Sequence, residues 1–273
     1  MDTDLASLEL SAAQFERISL LMYRLCGINL HHGKEELVKA RLMKRLRKLG
    51  LSSFQHYLRY IERDKSGQEL AIMIDALTTN KTSFFREPQH FDYLRRQILP
   101  RLMKRRIRVW SAGCSSGEEP FSIAILLREE LSGIDRKDVR ILGTDISKRM
   151  LEVARAAVYE QEALRDVPPQ LLLKYFTCVQ TKPPRTYRVN DTVSVMVRLA
   201  RLNLMGEWPM RGPFDVIFCR NVMIYFDKNT RQELIHRFWE LLQPGGLLFL
   251  GHSESLTALS HQFRYVQPAI YIK

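Results

Sequence analysis

Apolar residues recur every three or four positions in the segment that follows Ser11, which is the spacing of an amphipathic helix. They are Phe15, Ile18, Leu21, Met22 and Leu25. Ser11 and Gln14 match a capping box, and Gly27 provides a helix stop. The same reasoning predicts three more helices, over residues 34–49, 53–61 and 67–77. Because no strand pattern precedes Arg108, residues 1–78 are predicted to form an all-helical N-terminal domain.

From Arg108 onward, short apolar runs alternate with helical patterns, which indicates a doubly wound α/β domain around a parallel sheet. The predicted strands are 108–111, 139–144, 214–219 and 247–250, and the predicted helices are 120–131, 148–157 and 228–242. Residues 79–90 are predicted to be a polar linker, and residues 91–273 the α/β domain. Within it, Pro183-Pro184 followed by Tyr187–Val189 and Val193–Leu199 predicts a small antiparallel β insertion, over about residues 176–200.

Length and composition agree with this division into a small and a large domain. The chain has 273 residues, of which 45% are hydrophobic and 26% charged, as in ordinary soluble globular proteins. It contains no apolar run of about 18 residues, so no membrane-spanning helix is predicted. The N-terminus, with Asp2 and Asp4, lacks the basic and apolar regions of a signal peptide. A cytoplasmic location is therefore expected.

The cysteines and the net charge narrow the chemistry further. Four cysteines are scattered without CxxC spacing and the seven histidines form no HxxxH pair, so no metal site is expected. The formal net charge is +12 and the sequence pI is near 9.7. This balance favours an acidic partner, whether nucleic acid, an anionic membrane or an acidic protein surface, and does not choose among them.

A loop of small residues, Ser111–Pro120, lies between the first predicted strand and the next helix. Gly113 and Gly117 permit backbone angles and close approaches that larger residues forbid. The loop does not match G-x-G-x-x-G, so a dinucleotide is not indicated. S-adenosylmethionine has no phosphate and carries an ammonium group, which an acidic residue such as Glu118 suits. The alternative is that Glu118 and Glu119 only complement a helix N-terminus.

Two further signals follow in order. Asp145 ends the next strand, where a carboxylate can accept both hydroxyls of a ribose. Either Glu118 or Asp145 is expected to do so, and the other to bind a different polar group; alternatively, Asp145 only forms a turn. Finally, Pro244-Gly-Gly stops a helix directly before an apolar strand, as recurs in class I methyltransferases. The three signals together predict this fold.

These residues resemble the CheR family of chemotaxis receptor methyltransferases over nearly the whole chain. The resemblance rests on Leu77–Glu87, Trp110–Ala124, Gly143–Asp145, Leu202–Met205 and Phe218–Asp227. It implies transfer of a methyl group from S-adenosylmethionine to glutamate side chains of receptors, with S-adenosylhomocysteine as product.

The resemblance also implies roles for individual residues. Those expected at the cofactor are Asn80, Thr82, Arg86, Glu118, Asp145, Asn203, Leu204, Arg220 and Asn221. Arg86 and Tyr225 are expected to position the substrate carboxylate. Glutamate is ionised at neutral pH and is itself the nucleophile, so no general base is required. Alternatively, Arg86 is a surface charge and Tyr225 a core aromatic residue.

The predicted helix 34–49 is strongly basic. At about 100° per residue, Lys34, Arg41, Lys44, Arg45 and Lys48 share one arc, into which Leu37 intrudes. A solvated face is one interpretation. The other, which we favour, is that this arc docks on the acidic methylation helices of receptors by charge complementarity. The protein is expected to be monomeric, without nucleic-acid binding or membrane insertion.

Two other functions compete with receptor methylation. The charge of +12 suggests an RNA or DNA methyltransferase. However, Cys219–Val222 stands where amino methyltransferases of nucleic acids carry an Asn/Asp-Pro-Pro-aromatic turn, and aromatic residues for base stacking are missing from the basic arc. The other alternative is a catalytically weak, cofactor-binding signalling scaffold, and the retained loop, Asp145, Arg86 and Tyr225 argue against it.

Overall fold

A computed structural model describes residues 8–98 and 106–273 of the chain. The chain divides into two compact units. The helical unit is the chain through Thr79 together with Tyr225–Asp227, and the sheet unit is Asn80–Ile224 with Lys228–Lys273. The parts of the predicted domains that fall on residues 1–7 and 99–105 lie outside the described residues.

The helical unit contains the four predicted helices. They are α1 (Ala12–Cys26), α2 (Glu35–Leu49), α3 (Phe54–Arg63) and α4 (Gln68–Leu77). The capping box is present, since the Ser11 side chain accepts from the Gln14 amide and the Gln14 side chain from the Ser11 amide. Gly27 and Gly50 end α1 and α2 in left-handed conformations. The helices bury a common core that includes Ile18, Met22, Val38, Leu42, Leu46, Phe54, Tyr57 and Met73.

A buried carboxylate ties three of these helices together. Glu69 in α4 is 3% exposed and pairs with both Nε and Nη2 of Arg45 in α2. The Tyr57 hydroxyl in α3 donates to the same carboxylate at 2.9 Å. Because a buried charge is costly unless it is paired, this contact fixes the arrangement of α2, α3 and α4.

Arg41 is also committed within the helical unit. Its guanidinium donates to the carbonyls of Leu77 at 2.6 Å and Thr78 at 3.2 Å, and to Oγ1 of Thr79 at 3.0 Å. It therefore satisfies carbonyls at the C-terminus of α4. Two of the five cations of the predicted arc, Arg41 and Arg45, are thus used inside the helical unit. These two lie on the side of the arc next to the core, whereas Lys34, Lys44 and Lys48 are exposed.

The sheet unit is built on seven strands in the order β6-β2-β1-β7-β8-β10-β9. The first five run parallel, β10 is antiparallel to β8, and β9 is antiparallel to β10. The strands are β1 (Arg106–Ala112), β2 (Asp138–Asp145), β6 (Val197–Arg201), β7 (Phe214–Cys219), β8 (Leu242–Leu250), β9 (Arg264–Gln267) and β10 (Ile270–Ile272). This confirms the α/β fold class. The four predicted strands are present, and β6, β9 and β10 were not predicted as strands of this sheet.

Helices cover the sheet and bury its strands. They are α5 (Pro88–Tyr93), which continues as a π-helical turn over Leu94–Ile98, α6 (Glu118–Glu130), α7 (Lys148–Ala156), α8 (Pro169–Tyr175), α9 (Asp191–Ser194) and α10 (Lys228–Leu241). The sheet core includes Val109, Ile141, Val216, Phe218 and Phe249. Within the described ranges, no helix combines the length and apolar character needed to cross a membrane.

A second, three-stranded antiparallel sheet lies between α7 and β6 in the chain. Its strands are β3 (Val158–Glu160), β4 (Phe176–Gln180) and β5 (Thr186–Val189), in the order β3-β5-β4. The predicted small antiparallel insertion is therefore present, but the placement of Val193–Leu199 in it is wrong. Residues 197–201 instead pair in parallel with β2. The error arose because a short apolar run next to a hairpin has the same pattern as a buried parallel strand.

The Glu69 cluster predicts a sharp difference between two neighbouring cations of α2. Arg45→Ala should destabilise the helical unit by about 3–5 kcal/mol, because it leaves a buried carboxylate unpaired. Lys44→Ala, at an exposed position, should change stability by no more than about 0.5 kcal/mol. Urea unfolding followed by circular dichroism measures both, and equal effects would contradict a structural role for Arg45.

Candidate active site

Five parallel strands end at one edge of the main sheet, and the segments that follow carry most of the predicted site residues. The last residues of these strands are Ala112, Asp145, Arg201, Cys219 and Leu250. Because parallel strands place their carboxyl ends together, the loops after them lie side by side, and in open α/β sheets this edge binds ligands.

The loop after β1 folds back on the end of β2. The amides of Gly113 and Cys114 both donate to the Thr144 carbonyl at 2.8 Å. Gly113 and Gly117 have φ of +96° and +98°, a region that favours glycine. A Cβ on Gly113 would lie 2.5 Å from Cγ2 of Val222, and one on Gly117 would lie 2.9 Å from Cβ of Ala154. Both glycines are therefore required by the turn and by close packing of the protein on itself.

Asp145 is the centre of a second set of contacts. It is 9% exposed, and its two carboxylate oxygens accept from the amides of Ser115 at 2.7 Å and Ser147 at 2.8 Å. The Ser115 hydroxyl donates to the Asn80 carbonyl at 2.9 Å, and the Leu202 amide donates to the Asp145 carbonyl at 3.0 Å. The structure thus brings together Asn80, Asp145 and the segment that begins Leu202-Asn203.

Glu118 lies in the same loop as the first residue of α6. It is 6% exposed, and its carboxylate accepts from the Ser116 hydroxyl at 2.7 Å. Burial raises the pKa of Glu118, and the hydrogen bond from Ser116 opposes that shift. A carboxylate that only complemented a helix terminus would not need to be buried. Its assignment, and that of Asp145, to a ribose or an ammonium group stays a prediction.

The segment after β6 is held by hydrogen bonds and ring packing. Oδ1 of Asn203 accepts from the Met205 amide at 3.0 Å. The Leu204 carbonyl accepts from Nε1 of Trp208 at 3.2 Å and from Nη1 of Arg237 at 2.8 Å, and the Arg237 guanidinium lies 3.8 Å from the centre of the Trp208 ring. Leu204 is 9% exposed. These contacts fix the segment predicted to flank an adenine.

Arg86 is presented by an unusual stretch of backbone. Its neighbours Phe85 and Glu87 have φ of +52° and +56° although neither is glycine. Each such residue costs on the order of 1–3 kcal/mol, and such strain is concentrated at functional sites. The Phe85 amide donates to Oγ of Ser122 at 2.9 Å, and Nη1 of Arg86 donates to the Lys81 carbonyl at 2.9 Å. Thr82 lies in the same segment and is half-buried.

Arg220, directly after β7, directs its guanidinium towards this segment. The side chain is 2% exposed. Nη2 donates to the Arg86 carbonyl, Nε donates to Oε2 of Glu87 at 3.2 Å, and Nη1 lies 3.3 Å from Oε2 of Glu119. Burial raises the pKa of Glu119, and Arg220 opposes that shift. Burial also tends to raise the pKa of Glu87. The charge of Arg220 and the hydrogen bond from the His252 amide outweigh burial, so the pKa of Glu87 is lowered.

Asn221 is held by a carboxylate that the sequence did not reveal as part of the site. Oε2 of Glu254 accepts from the amides of Gly251 at 2.6 Å and Asn221 at 2.8 Å, and Oε1 accepts from the Ile224 amide at 3.1 Å. Glu254 is 7% exposed, and burial raises its pKa against the effect of these amides. Its position four residues beyond the end of a parallel strand was the signal that could have identified it.

Glu87, His90 and His252 form a cluster of possible metal ligands. Nδ1 of His90 lies 3.3 Å, and Nε2 of His252 3.9 Å, from Oε2 of Glu87. That oxygen is already paired with Arg220, and the other oxygen accepts from the His252 amide at 3.2 Å. A cation would therefore compete with Arg220 for Glu87. The prediction that the protein needs no metal stays a prediction.

Tyr225 belongs to the helical unit rather than to the sheet unit. Its carbonyl accepts from the Asn29 amide at 2.9 Å, Phe226 forms a β-bridge with Ile28, and the Tyr23 hydroxyl donates to Asp227 at 2.7 Å. The Tyr225 side chain is half-buried. Its predicted role at the substrate stays a prediction.

The charges at the sheet edge fit S-adenosylmethionine better than a phosphorylated cofactor. The sheet edge carries more acidic than basic side chains: the acids are Glu87, Glu118, Glu119, Asp145 and Glu254, and the bases are Arg86 and Arg220. Besides one carboxylate, S-adenosylmethionine carries a sulfonium, an ammonium group and two ribose hydroxyls, and carboxylates recognise these last groups. The buried, acidic loop after β1 would repel a pyrophosphate.

The fold and the acidic sheet edge define a class I methyltransferase that depends on S-adenosylmethionine. Residues 80–272 match the family model described as "CheR methyltransferase, SAM binding domain", and residues 13–78 match "CheR methyltransferase, all-alpha domain". The chain belongs to the CheR methyltransferase family.

Curated relatives agree with this assignment over most of their length. The chain is 43% identical to the chemotaxis protein methyltransferase of Escherichia coli, covering 97% of this chain and 92% of that protein. It is 41% identical to a probable chemotaxis protein methyltransferase of Rhizobium etli, over 87% and 90%. It is 38% identical to the chemotaxis protein methyltransferase of Borreliella burgdorferi, over 98% and 96%.

The buried His90 predicts a pH dependence of stability. Burial, together with the charge of Arg220, lowers the pKa of His90 to about 3, whereas an unfolded chain binds this proton near pH 6.5. A depressed folded-state pKa stabilises the folded protein above pH 6.5, and the contribution is lost as the pH falls from there towards 3. Between pH 7 and pH 5 the wild type should therefore lose about 2 kcal/mol more stability than His90→Phe. Denaturant titrations at each pH measure this. The exposed His31→Phe is the control, and parallel curves for the wild type and His90→Phe would contradict the prediction.

Proposed function

We propose that this protein transfers the methyl group of S-adenosylmethionine to glutamate side-chain carboxylates of chemotaxis receptors. The products are glutamate 5-O-methyl ester and S-adenosylhomocysteine. The observation that carries the proposal is the match of both CheR domains, in order, to residues 13–78 and 80–272. The reaction takes place in the cytoplasm and the enzyme acts as a monomer.

Methyl transfer to a carboxylate depends on the positioning of the two reactants more than on acid–base catalysis. A glutamate carboxylate is ionised at neutral pH, so the nucleophile is already formed. S-adenosylmethionine would supply the methyl group, bonded to a sulfonium sulfur. In-line attack by the carboxylate oxygen forms the O–C bond of the ester and breaks the S–C bond, so that the leaving group is a neutral thioether. The protein therefore has to align carboxylate and methyl group, which alone gives a large acceleration, and to exclude water from the ion pair that is neutralised.

The residues divide into a cofactor set and a substrate set. In the proposal the residues at the cofactor are Asn80, Thr82, Arg86, Glu118, Asp145, Asn203, Leu204, Arg220 and Asn221, and Arg86 belongs to both sets. Arg220 contacts the cofactor through its main chain, because its guanidinium is directed at residues 86–87 and 119. Arg86 holds one oxygen of the substrate carboxylate by a charge-assisted hydrogen bond, which leaves the other oxygen for attack, and Tyr225 supports the same carboxylate.

The helical domain, residues 1–78, is proposed to dock the receptor. Lys34, Lys44, Arg47 and Lys48 of α2 and its cap are exposed, and Leu37 is 41% exposed among them. Arg41 and Arg45 are excluded from this surface because they serve the fold. A cationic helix face around one apolar side chain suits the acidic methylation helices of a receptor, and it contributes more to association and orientation than to tight binding.

The first test is methyl transfer from labelled S-adenosylmethionine to receptor-containing membranes. The expected label is base-labile and released as methanol, as a carboxyl methyl ester requires. Arg86→Ala should lower kcat by on the order of 10²-fold, because it removes the group that aligns the substrate. Arg136→Ala is the matched control, since Arg136 is exposed at the opposite edge of the sheet. Label on nucleic acid instead of receptors would overturn the substrate, and no label on either would favour a cofactor-binding scaffold.

The docking surface predicts a second, separate effect. The double variant Lys44→Glu/Lys48→Glu should raise the KM for receptor roughly tenfold, with the affinity for S-adenosylhomocysteine unchanged. The difference should shrink at high salt, as expected for exposed charges. Arg136→Glu/Arg211→Glu makes the same change of net charge at exposed positions of the sheet unit. An equal rise of KM in both double variants would show that only net charge matters and would remove the docking surface.

A further inference from the structure

Arg86 is presented by backbone that its own sequence does not favour. Left-handed conformations at both Phe85 and Glu87 leave this segment dependent on contacts from elsewhere in the sheet unit. One contact comes from α6, where Oγ of Ser122 accepts from the Phe85 amide. Further polar contacts to the backbone and carboxylate of residues 86–87 come from Arg220 after β7, His252 after β8 and His90 in α5.

The end of β7 supplies the largest part of that support. β7 is buried at every position, so the residue that follows it starts from a fixed point. From there Arg220 donates to the Arg86 carbonyl and to the Glu87 carboxylate, which lie more than 130 positions earlier in the sequence. The third nitrogen of the guanidinium, Nη1, is paired with Glu119 at the start of α6. One guanidinium therefore connects the Arg86 segment, β7 and α6.

A guanidinium is suited to this position and an ammonium is not. Its planar fork carries five donors in fixed directions, so it can contact a carbonyl and two carboxylates at once, whereas a lysine ammonium is a single point charge. The Arg220 guanidinium also lies 5.9 Å from the centre of the Phe91 ring in α5, which limits its freedom. With a side chain only 2% exposed, its donors are used inside the protein.

We propose that Arg220 is a positioning residue: its side chain fixes the backbone at Arg86 and Glu87 and so sets where the Arg86 guanidinium meets the substrate. The role is distinct from binding the cofactor, and it rests on the proposed function only in that Arg86 aligns the substrate carboxylate. The effect of Arg220 on methyl transfer passes through Arg86.

The test is a double-mutant cycle between these two arginines. Arg220→Lys keeps the buried positive charge and should lower kcat for receptor methylation by about 10²-fold, with the affinity for S-adenosylhomocysteine changed less than threefold. In the Arg86→Ala background, Arg220→Lys should have no further effect on kcat, because the group it positions is gone. Additive losses, or a loss of cofactor affinity that equals the loss of kcat, would overturn the proposal.

Hydrogen exchange supplies a readout that does not depend on turnover. In Arg220→Lys, amides of residues 84–90 should exchange at least tenfold faster than in the wild type, whereas β2 should be unchanged. If Arg220→Lys fails to fold, Glu87→Gln tests the same connection from the other side, since it weakens the pair with Arg220 and keeps the side-chain shape. Unchanged exchange in the variant that folds would overturn the proposal.

The two readouts separate this proposal from the enzyme assignment. A wild type that methylates receptors, with Arg220→Lys unaltered in kcat and exchange, would remove the positioning role and keep the function. A wild type that methylates nothing, with faster exchange over residues 84–90 in Arg220→Lys, would remove the function and keep the positioning role.

Discussion

The requirement that buried charges be paired governs the sheet edge. Five strands end there, and the chain places carboxylates and a guanidinium where water is largely excluded, each at 12% exposure or less. Such groups are tolerated only when other groups satisfy them. Arg220 is satisfied by Glu87, Glu119 and a carbonyl, and Glu254 by three backbone amides. The conformations of the Arg86 segment and of the Asn221 turn follow from those pairings.

The same constraint separates two kinds of cation in this basic protein. In the helical unit, Arg45 is paired with a carboxylate that is 3% exposed, whereas Lys44, the preceding residue, faces solvent. The planar guanidinium of Arg41 donates hydrogen bonds to the carbonyls at the C-terminus of α4. Arginine suits this position better than lysine because its donors point in fixed directions. The chain therefore uses these arginines for its architecture and leaves mainly lysines on the exposed face of α2.

Much of the fold follows from local patterns in the sequence. The four helices before Thr79 were predictable from apolar spacing, supported by serine caps at α1 and α3 and by glycine stops at α1 and α2. β1, β2, β7 and β8 were predictable because they are apolar runs bounded by turns. β6 was misplaced, since its parallel pairing with β2 depends on a partner more than 50 residues away. The resemblance named Arg86 and Arg220, but it did not show that one holds the backbone of the other. Glu254 was missed because only its place four residues beyond a parallel strand marks it, and His90 because nothing local marks an imidazole that stays neutral.

The small antiparallel sheet combines one packed face with an exposed edge strand. On one face, Tyr159 and Phe176 pack edge-on against Phe84, two residues before Arg86, and the Tyr159 hydroxyl donates to the Ser116 carbonyl in the loop after β1. β4 is an edge strand of this sheet, and its four residues after Phe176 are exposed. A substitution at Tyr159 or Phe176 therefore disturbs the packing of the segment that presents Arg86, whereas a substitution in β4 beyond Phe176 changes only the protein surface.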